Sequence, residues 1–314
     1  AIDSQAIFSG SKFICATNGN CKFADSLNIL PTSVRDLGEM LGDKKGSPDF
    51  DNARLSEIAE YCLQDCRIVY QALFRAFSMS KAKMTIGSLS VELFRRFFLE
   101  KAFKIDTIND EFFAAYFGGR TEIFKKGKVD ADVYDINSAY PFVMLTSKFP
   151  DPENMRTMNN PSESDFIKIL ETYEGMATLT VTVKDMHIPP LPVRDGSQLI
   201  FPVGTITGSW VFPELRIALP YITIHKVHRI IYAKPIPSPF KKFVTHYYNA
   251  RLKTDNEFLK YYYKLLLNNL YGKLAQRNMQ QSVMLQKGEN PHKVMKRYNC
   301  KNAEIIKTDY GDFL

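Results

Sequence analysis

The chain has 314 residues, of which 45% are hydrophobic and 24% are charged. This composition supports a packed core and excludes an intrinsically disordered chain, and the length allows two domains or one large α/β domain. No apolar run is long enough to span a membrane and the first residues show no signal-peptide pattern, so we expect no membrane association.

Five cysteines are present, an odd number with irregular spacing. This usage argues against a disulfide framework and predicts a reducing compartment. Cys62 and Cys66 stand four apart, as half of a metal site would, but no second pair accompanies them. Packing thiols are therefore the favoured interpretation.

The net charge of +7 is concentrated at one end of the chain. Residues 241–314 contain 14 Lys and Arg against six Asp and Glu, so the first 240 residues are close to neutral. A charge concentrated in this way suggests a surface that faces a polyanion. A solubilising surface would explain it equally well if the charge stood alone.

In chain order, the first 30 residues predict short strands with a hairpin at Asn18–Asn20. Helices are predicted from an N-cap at Thr32 or Ser33 to Leu41, and over residues 54–79 and 85–103. Residues 129–136 predict a β-strand and 137–141 a turn. Further strands are predicted at 177–183, 199–201 and 222–224, one or two helices over 240–274, and β-like structure beyond residue 277.

The segment Tyr134–Pro141 combines an apolar run with the carboxylate of Asp135 and an immediate turn. A carboxylate at a strand end is suited to hold a hard cation such as Mg²⁺ beside a substrate triphosphate. Backbone N–H groups of the turn could face the phosphates. An aspartate that only caps a Ser turn would also fit this segment when it is taken alone.

A second pattern lies on one predicted helix. Lys260, Lys264, Asn268 and Tyr271 share a helical face, and Gly272 follows them. Two ammonium groups on one face favour an anionic ligand, and the ring offers a stacking platform for a base pair. A solvated lysine face is the alternative for the two lysines alone.

Three weaker patterns precede these. The glycine pair in Tyr116–Arg120 allows close approach of a nucleic-acid strand, although a plain turn would look the same. Tyr61 and Asp65 stand four apart on a predicted helix, where a phenol and a carboxylate can act on one water, but this spacing is common by chance. Asp25–Leu27 fits a helix-capping turn.

Together these strings resemble protein-primed B-family DNA polymerases, in motifs and in their order along the chain. Tyr134–Pro141 resembles the first polymerase motif, D-x-x-S-L-Y-P, with Ala139 in place of Leu. Lys264–Gly272 resembles the fingers motif, K-x-x-x-N-S-x-Y-G, with Asn269 in place of Ser. Tyr116–Gly119 resembles the Y-x-G-G motif, and Tyr61–Asp65 the third exonuclease motif, Y-x-x-x-D.

The resemblance implies roles for the polymerase residues. Asp135 would be a ligand of the catalytic Mg²⁺ (or Mn²⁺), the ring of Tyr140 would block a ribose 2′-OH, and Lys264 would bind the triphosphate. These three are the implied catalytic residues. The implied nucleotide-binding residues are Ile136, Ser138, Tyr140, Lys253, Lys260, Lys264, Asn268, Tyr271 and Gly272.

The resemblance also implies DNA-binding and exonuclease residues. Ser26 and Leu27 match an element that contacts single-stranded DNA. The implied DNA-binding residues are Ser26, Leu27, Tyr116, Gly118, Gly119 and Arg120. The implied exonuclease residues are Tyr61, Asp65 and Lys45, with Asp65 as a metal ligand.

The predicted fold class is α+β. The resemblance implies part of a right-hand polymerase fold, namely the end of an RNase H-like exonuclease domain, a palm with an insertion, and fingers, without the thumb and the last palm strands. The expected divisions are the exonuclease end at 1–80, a helical linker at 81–115, the palm with its insertion at 116–243, fingers helices at 244–277, and a return toward the palm at 278–314.

Some carboxylates of the family are not found in the sequence. The motif Y-x-D-T-D does not follow the fingers, and D-x-E and N-x-x-F-D do not precede Tyr61. Asp309 and Asp25 are the nearest carboxylates, but they lack the flanking pattern or the spacing. We therefore expect a fragment, a truncated reading frame or one half of a split enzyme, and a second chain that carries the missing motifs is an expected partner.

The implied function is DNA-directed DNA polymerase, which adds deoxynucleotides to a primer or a priming protein, with proofreading in the intact enzyme. The alternative is a non-catalytic DNA-binding remnant or half of a split polymerase, whereas a stand-alone nuclease is disfavoured because Asp65 alone of its carboxylates is present. Expected partners are a DNA template and primer, deoxynucleoside triphosphates and a terminal priming protein. A virus, linear plasmid or other mobile element as source places the chain in a host cytoplasm or a mitochondrion.

Overall fold

The computed structural model of the chain describes residues 4–9, 12–101, 110–196, 198–276, 290–297, 306–308 and 311–313. Its internal contacts divide into two units. The discontinuous unit comprises Ala1–Leu99 and Lys242–Leu314, and the central unit comprises Glu100–Lys241. The five-part division expected from the sequence stays a prediction.

The discontinuous unit begins with a three-stranded antiparallel sheet. Its strands, which lie side by side in chain order, are β1 (Ser4–Ser9), β2 (Lys12–Asn18) and β3 (Cys21–Ala24). The turn between β2 and β3 holds Gly19 at a φ of 57°, a conformation that costs glycine little. The predicted hairpin at Asn18–Asn20 is confirmed.

Three helices follow the sheet. They are α1 (Val34–Leu41), α2 (Leu55–Ala76) and α3 (Ile86–Phe97). Ser33 Oγ accepts a hydrogen bond of 3.1 Å from the backbone N–H of Asp36, and Gly42 ends α1 with a φ of 76°. The first two predicted helices are confirmed, whereas the third ends at Phe97 rather than Phe103.

The central unit alternates short helices with strands. Its helices are α4 (Asp110–Ala114), α5 (Ala139–Thr146), α6 (Glu163–Thr172) and α7 (Phe212–Ala218). Its strands are β4 (Phe149–Pro150), β5 (Arg156–Asn159), β6 (Glu174–Val183), β7 (Val193–Asp195), β8 (Gln198–Ile200), β9 (Gly204–Val211), β10 (Ile222–Ala233) and β11 (Pro235–Ile236). The strands predicted near residues 177–183, 199–201 and 222–224 are confirmed, and two of them extend further than predicted.

The main sheet of this unit is antiparallel and has the strand order β5-β10-β6-β9. Every second residue of β6, from Ala177 to Val183, is buried against α6 and α7, as a strand with one covered face requires. Trp210 of β9 lies at the centre of this core, and its indole N–H donates to the Pro192 carbonyl oxygen over 2.8 Å.

The predicted strand at Val129–Ile136 is wrong, because this segment is irregular and exposed. Val133 is 96% exposed and Ile136 is 77% exposed. No strand among the described residues pairs with it, and an extended segment gains little stability without a partner. The predicted turn at 137–141 is also shorter than expected: it covers only Asn137 and Ser138, since α5 begins at Ala139.

The chain then returns to the discontinuous unit. The remaining elements are α8 (Lys241–Lys253), α9 (Glu257–Leu274), α10 (Pro291–Arg297), β12 (Ile306–Thr308) and β13 (Gly311–Phe313). The predicted helical region is therefore two helices. Residues 277–289 and 298–305 lie outside the described residues, and the described part beyond them contains a helix as well as the predicted β-structure.

Helix α9 is the centre of the discontinuous unit. It packs against α1 and α3 through a buried row that ends in Leu270 and includes Phe258 and Leu266. Tyr262 is part of that row, and its hydroxyl donates a 2.7 Å hydrogen bond to the Ala76 carbonyl oxygen at the end of α2. Burial is the main cause that raises the pKa of Tyr262, so the phenol stays protonated and the bond persists.

Tyr262→Phe is expected to lower the free energy of unfolding by about 1–3 kcal/mol, because it leaves a buried carbonyl oxygen without a donor. Tyr263→Phe is the matched control, since no hydrogen bond of the Tyr263 hydroxyl is seen within the described chain. Urea unfolding measures both values. Equal stabilities of the two variants would contradict a role for the bond.

No helix within the described ranges is both long and apolar enough to cross a bilayer.

Candidate functional site

Asp135 lies in an exposed, extended segment of the central unit, one residue before Ile136 and four before the start of α5. Its exposure leaves the carboxylate accessible to a hydrated cation. Asp130 and Asp132 precede it in the same segment and are also exposed. The position therefore suits a metal ligand, although the strand expected to carry it is not formed.

Ser138 and Tyr140, three and five residues after Asp135, lie at the start of α5. Ser138 adopts a φ of 55°, which is uncommon for a residue other than glycine, and its carbonyl oxygen accepts from the Phe142 N–H over 2.9 Å. Tyr140 is 51% exposed. The first turn of α5, which begins four residues after Asp135, thus carries an exposed phenol ring.

Helix α9 carries the predicted lysine face on the exposed side of the discontinuous unit. Lys264 and Asn268 are exposed, Tyr271 is half-buried, and Gly272 is exposed. Lys260 Nζ forms a 2.8 Å ion pair with Glu257, and this hydrogen bond raises the pKa of Lys260. Glu257 therefore offsets part of the positive charge of this face.

Lys253 is the last residue of α8 and is exposed. Residues 254–256 link α8 to α9, and Asn256 caps α9 by accepting a 3.0 Å hydrogen bond from Leu259 N–H. Lys264 makes no ion pair or hydrogen bond with any residue that the structure describes. Its ammonium group is thus available to an anion.

The three predicted exonuclease residues lie together. Lys45 Nζ is 2.8 Å from Asp65 Oδ2 and 4.7 Å from the centre of the Tyr61 ring. The hydrogen bond to Asp65 is the main cause that raises the pKa of Lys45, followed by Tyr61. The turn of α2 that carries Tyr61 and Asp65 also holds Gln64, which bonds the Lys44 carbonyl oxygen over 2.7 Å and so fixes the loop that carries Lys45.

A cleft of about 510 Å³ opens beside this cluster. Its walls include Gly46, Tyr61, Gln64 and Arg67. A ligand could reach the Tyr61 hydroxyl through this cleft, and the Arg67 guanidinium could bind an anionic group of that ligand.

Arg120 is held by the central unit itself. Its guanidinium donates to the Pro189 carbonyl oxygen over 2.7 Å, pairs with Glu122, and lies 4.0 Å from the centre of the Phe201 ring. These intramolecular contacts occupy the Arg120 side chain. Its expected contact with a DNA phosphate stays a prediction. Gly118 and Gly119 are exposed with open space around them, and neither has a positive φ, so close approach of a ligand remains sterically open.

Sequence reasoning missed a second arginine at this loop. Arg194 of β7 donates to the Tyr116 carbonyl oxygen and lies 5.0 Å from the centre of the Phe117 ring. The separation of Arg194 from Tyr116 along the chain is 78 residues, and no spacing pattern signals such a contact.

Ser26 and Leu27 form a single 3₁₀ turn that ends at Asn28. Asp25 Oδ1 accepts a 2.9 Å hydrogen bond from Leu27 N–H, so the capping interpretation is confirmed. The Leu27 side chain is 53% exposed and accessible to a ligand. The binding role of this turn stays a prediction.

The candidate residues fall into both units. Asp135, Ser138 and Tyr140 belong to the central unit, whereas Lys253 and Lys264 belong to the discontinuous unit with the exonuclease cluster. In the central unit, the candidate residues lie between Asp135 and the start of α5. In the discontinuous unit, Lys264 lies on the exposed face of α9.

The two candidate metal ligands differ in their surroundings. Asp65 Oδ1 is shielded from solvent and has no hydrogen-bond partner among the described residues, which fits an oxygen ligand for a hard cation. Asp135 is an exposed carboxylate and fits one ligand of such an ion. Within the described ranges, no three His, Cys, Asp or Glu side chains cluster as a metal site.

The comparison with protein families gives one match over most of the chain. The family described as "DNA polymerase type B, organellar and viral" matches residues 43–310. Enzymes of this kind use divalent metal ions in nucleotide transfer.

One protein and two solved structures show the same similarity. The DNA-directed DNA polymerase of Enterobacteria phage PRD1 is 28% identical over 272 residues, which are 82% of this chain and 46% of that protein. The orthorhombic crystal form of the phi29 DNA polymerase, from a Bacillus phage, has a TM-score of 0.69 at 21% identity, over 90% of this chain and 52% of that one. The phi29 enzyme in its ternary complex with primer-template DNA and incoming nucleotide has a TM-score of 0.66 at 20% identity, over 86% and 50% of the two chains.

These similarities establish the fold and its extent. The described chain has the mixed helix-and-sheet fold of part of the phi29 enzyme. The chain spans about half the length of these phage relatives.

Proposed function

The chain belongs to the family of organellar and viral type B DNA polymerases, and from this premise we propose that it takes part in template-directed transfer of deoxynucleotides to a primer. The observation that carries the proposal is the exposed face of α9, on which Lys264 lacks any partner in the described chain and Asn268 lies one turn further on. An unpaired ammonium group on a rigid helix is suited to hold the phosphates of a nucleotide.

The proposed roles follow from the chemistry of each side chain. Lys264 binds the triphosphate and offsets charge that develops on the leaving pyrophosphate. Asp135 is a ligand of Mg²⁺ or Mn²⁺, and the bound ion supplies Lewis-acid stabilisation of the phosphoryl oxygens. Tyr140, on the first turn of α5, excludes a ribose 2′-OH by its bulk.

The remaining residues are proposed to serve DNA and proofreading. Lys253 and Lys260 assist Lys264 with the phosphates, and Tyr271 with Gly272 supports the nascent base pair. The residues proposed to contact DNA are Ser26, Leu27, Tyr116, Gly118, Gly119 and Arg120. In the exonuclease cluster, Lys45 orients Asp65, which binds a metal ion, while the Tyr61 hydroxyl holds the attacking water.

The partners and the location are proposals of the same kind. We propose primer-template DNA and deoxynucleoside triphosphates as ligands, and a terminal priming protein as a partner, because the motifs of the chain resemble those of protein-primed polymerases. A second chain with further carboxylates is proposed as well. Cys15, Cys21, Cys62 and Cys66 are free thiols, which supports a reducing compartment such as a host cytoplasm or a mitochondrion.

A second candidate function is DNA binding without catalysis. Asp135 has no companion carboxylates arranged as a metal site within the ranges that the structure describes, whereas two-metal transfer requires shared ligands. A remnant of this kind would bind DNA and would add no nucleotide.

The proposal is tested by equilibrium binding of a fluorescent deoxynucleoside triphosphate in the presence of Mg²⁺. Lys264→Ala is expected to weaken binding about tenfold or more, because one charge-assisted hydrogen bond is lost. Lys273→Ala is the matched control: Lys273 lies on the opposite face of α9, where it bonds Gln276 over 2.6 Å, and the change is expected to have little effect. Equal binding by the Lys264 variant and the unchanged chain would contradict the nucleotide role of this face.

A further inference from the structure

One face of the main sheet in the central unit is polar, and over most of its length no helix among the described residues packs on it. The opposite face is the one that packs on α6 and α7. At one end of the polar face, α4 contacts β9 beside a small apolar cluster that contains Met176 and Ile231. The polar side chains beyond that end are Thr178, Thr180 and Thr182 of β6, Thr205, Thr207 and Ser209 of β9, Asn159 of β5, and Thr223, His225, Lys226, His228 and Arg229 of β10.

Two irregularities in β10 put four basic side chains on this one face. Strict alternation would split the run from His225 to Arg229 between the two faces. The register shifts once between Ile224 and Lys226 and again between Val227 and Arg229. As a result, Val227 is the one residue of this run that turns into the core, where it lies opposite Leu179. The pairs His225–Lys226 and His228–Arg229 both lie on the polar side.

The hydroxyl groups form hydrogen-bonded rows across the strands. His228 Nε2 lies 2.8 Å from Thr180 Oγ1, which lies 2.8 Å from Thr207 Oγ1. In the next row, His225 Nε2 lies 2.6 Å from Thr182 Oγ1, and that oxygen lies 2.7 Å from Thr205 Oγ1. Thr178 and Ser209 make a third contact of 2.8 Å.

Each His–Thr–Thr row can leave the hydroxyl hydrogen of its outermost threonine free for donation to a ligand. When His228 Nε2 carries hydrogen, Thr180 accepts from it and donates to Thr207, because a hydroxyl has a single proton to give. The proton of Thr207 is then free to point at a ligand, and Thr207 is exposed. The row of His225, Thr182 and Thr205 has the same arrangement, so a bound anion favours this direction in both rows.

The charge of the sheet points to the same kind of ligand. Its four strands contain one carboxylate, Glu174, which is held by Arg216 over 2.9 Å. On the polar face, Glu111 of α4 pairs with Arg229 over 2.8 Å, and Lys226 is exposed. Cations and hydroxyl donors therefore outnumber carboxylates on this surface.

We propose that this polar sheet face binds the sugar–phosphate backbone of a nucleic acid. Hydroxyl, lysine, arginine and histidine donors are the groups that proteins direct at phosphate oxygens. The exposed part of the face lacks the apolar and aromatic side chains that form the centre of a protein–protein interface. The inference goes beyond the proposed nucleotide transfer and does not depend on it, because binding is measurable without incorporation.

The test is titration of a labelled DNA oligonucleotide, single-stranded and duplex, over a series of salt concentrations. Lys226→Glu is expected to weaken binding about tenfold and to reduce the salt slope by about 1. Lys168→Glu is the matched control, since Lys168 is exposed on α6, which covers the other face, and is expected to bind as the unchanged chain does. Thermal melting checks that both variants are folded.

A second pair of variants tests the hydroxyl rows. Thr207→Val removes the outer hydroxyl at nearly constant shape and is expected to weaken DNA binding about two- to tenfold, whereas Thr207→Ser retains it and keeps the affinity. DNA affinities unchanged by both Lys226→Glu and Thr207→Val would overturn the proposal. So would a Lys226→Glu change that weakens binding of polyglutamate but not of DNA, because the face would then fit an acidic protein.

Discussion

Replacement of Asp135 by alanine is expected to slow Mg²⁺-dependent primer extension by about a thousandfold or more. A metal ion contributes several kcal/mol to the stabilisation of phosphoryl-transfer charge, and each 1.36 kcal/mol is about a factor of ten in rate. The exposed position of Asp135, four residues before the start of α5, leaves its carboxylate free for this role. The measurement is single-nucleotide incorporation under conditions where the enzyme exceeds the primer.

Asp132→Ala is the matched control for this prediction. Asp132 is an exposed carboxylate in the same extended segment, three residues before Asp135, so its removal changes the charge equally. We expect its rate to stay within about twofold of the unchanged chain, as for a surface substitution. Equal rates for Asp132→Ala and Asp135→Ala would show that Asp135 is not a metal ligand of the reaction.

Trp210→Ala is expected to destabilise the central unit by about 3–5 kcal/mol. The side chain is fully buried, so its removal leaves a cavity and also removes the hydrogen bond to the Pro192 carbonyl oxygen. Trp210 is the single tryptophan of the chain, so unfolding of the variant is followed by circular dichroism rather than by fluorescence. A loss below about 1 kcal/mol would contradict its central place in this core.

Two glycine variants test the packing around Trp210 by adding a methyl group instead of removing the indole. A Cβ at Gly208 would lie 2.6 Å from Trp210 Cζ2, so Gly208→Ala forces the indole to move and is expected to destabilise the unit. Gly119→Ala is the control, because no heavy atom lies within 4 Å of the added methyl group. The two substitutions should therefore differ clearly in denaturant midpoint.

Local signals account for what the sequence predicted well. The Asn18–Asn20 turn, the Ser33 cap and the long periodic run from Leu55 to Ala76 each depend on neighbouring residues, and all three elements are present. The lysine face of α9 follows from helical spacing in the same way. The motif resemblance identified the family, which the match over residues 43–310 confirms.

Contacts between distant residues account for what was missed. The apolar run at Val129–Ile136 reads as a strand, yet β-structure requires a paired neighbour, and the described chain offers none to it. The hydrogen bond from Arg194 to the Tyr116 carbonyl oxygen joins two residues that are far apart in the chain.

The polar sheet face was missed for a related reason. Alternation along β10 predicts that Lys226 and His225 point to opposite sides, and the register shift between Ile224 and Lys226 brings them to the same side. The position of such shifts depends on pairing with β6 and is not encoded in a local pattern.

The most direct test of the proposed nucleotide transfer is template-directed incorporation with Mg²⁺ and one deoxynucleotide at a time, by the chain alone and together with any chain encoded next to it. We expect the nucleotide added to a primer to change with the template base, and addition to stop when Mg²⁺ is removed. Salt-sensitive DNA binding without incorporation in either assay would contradict the proposal, and would show that the chain binds DNA but takes no part in polymerisation.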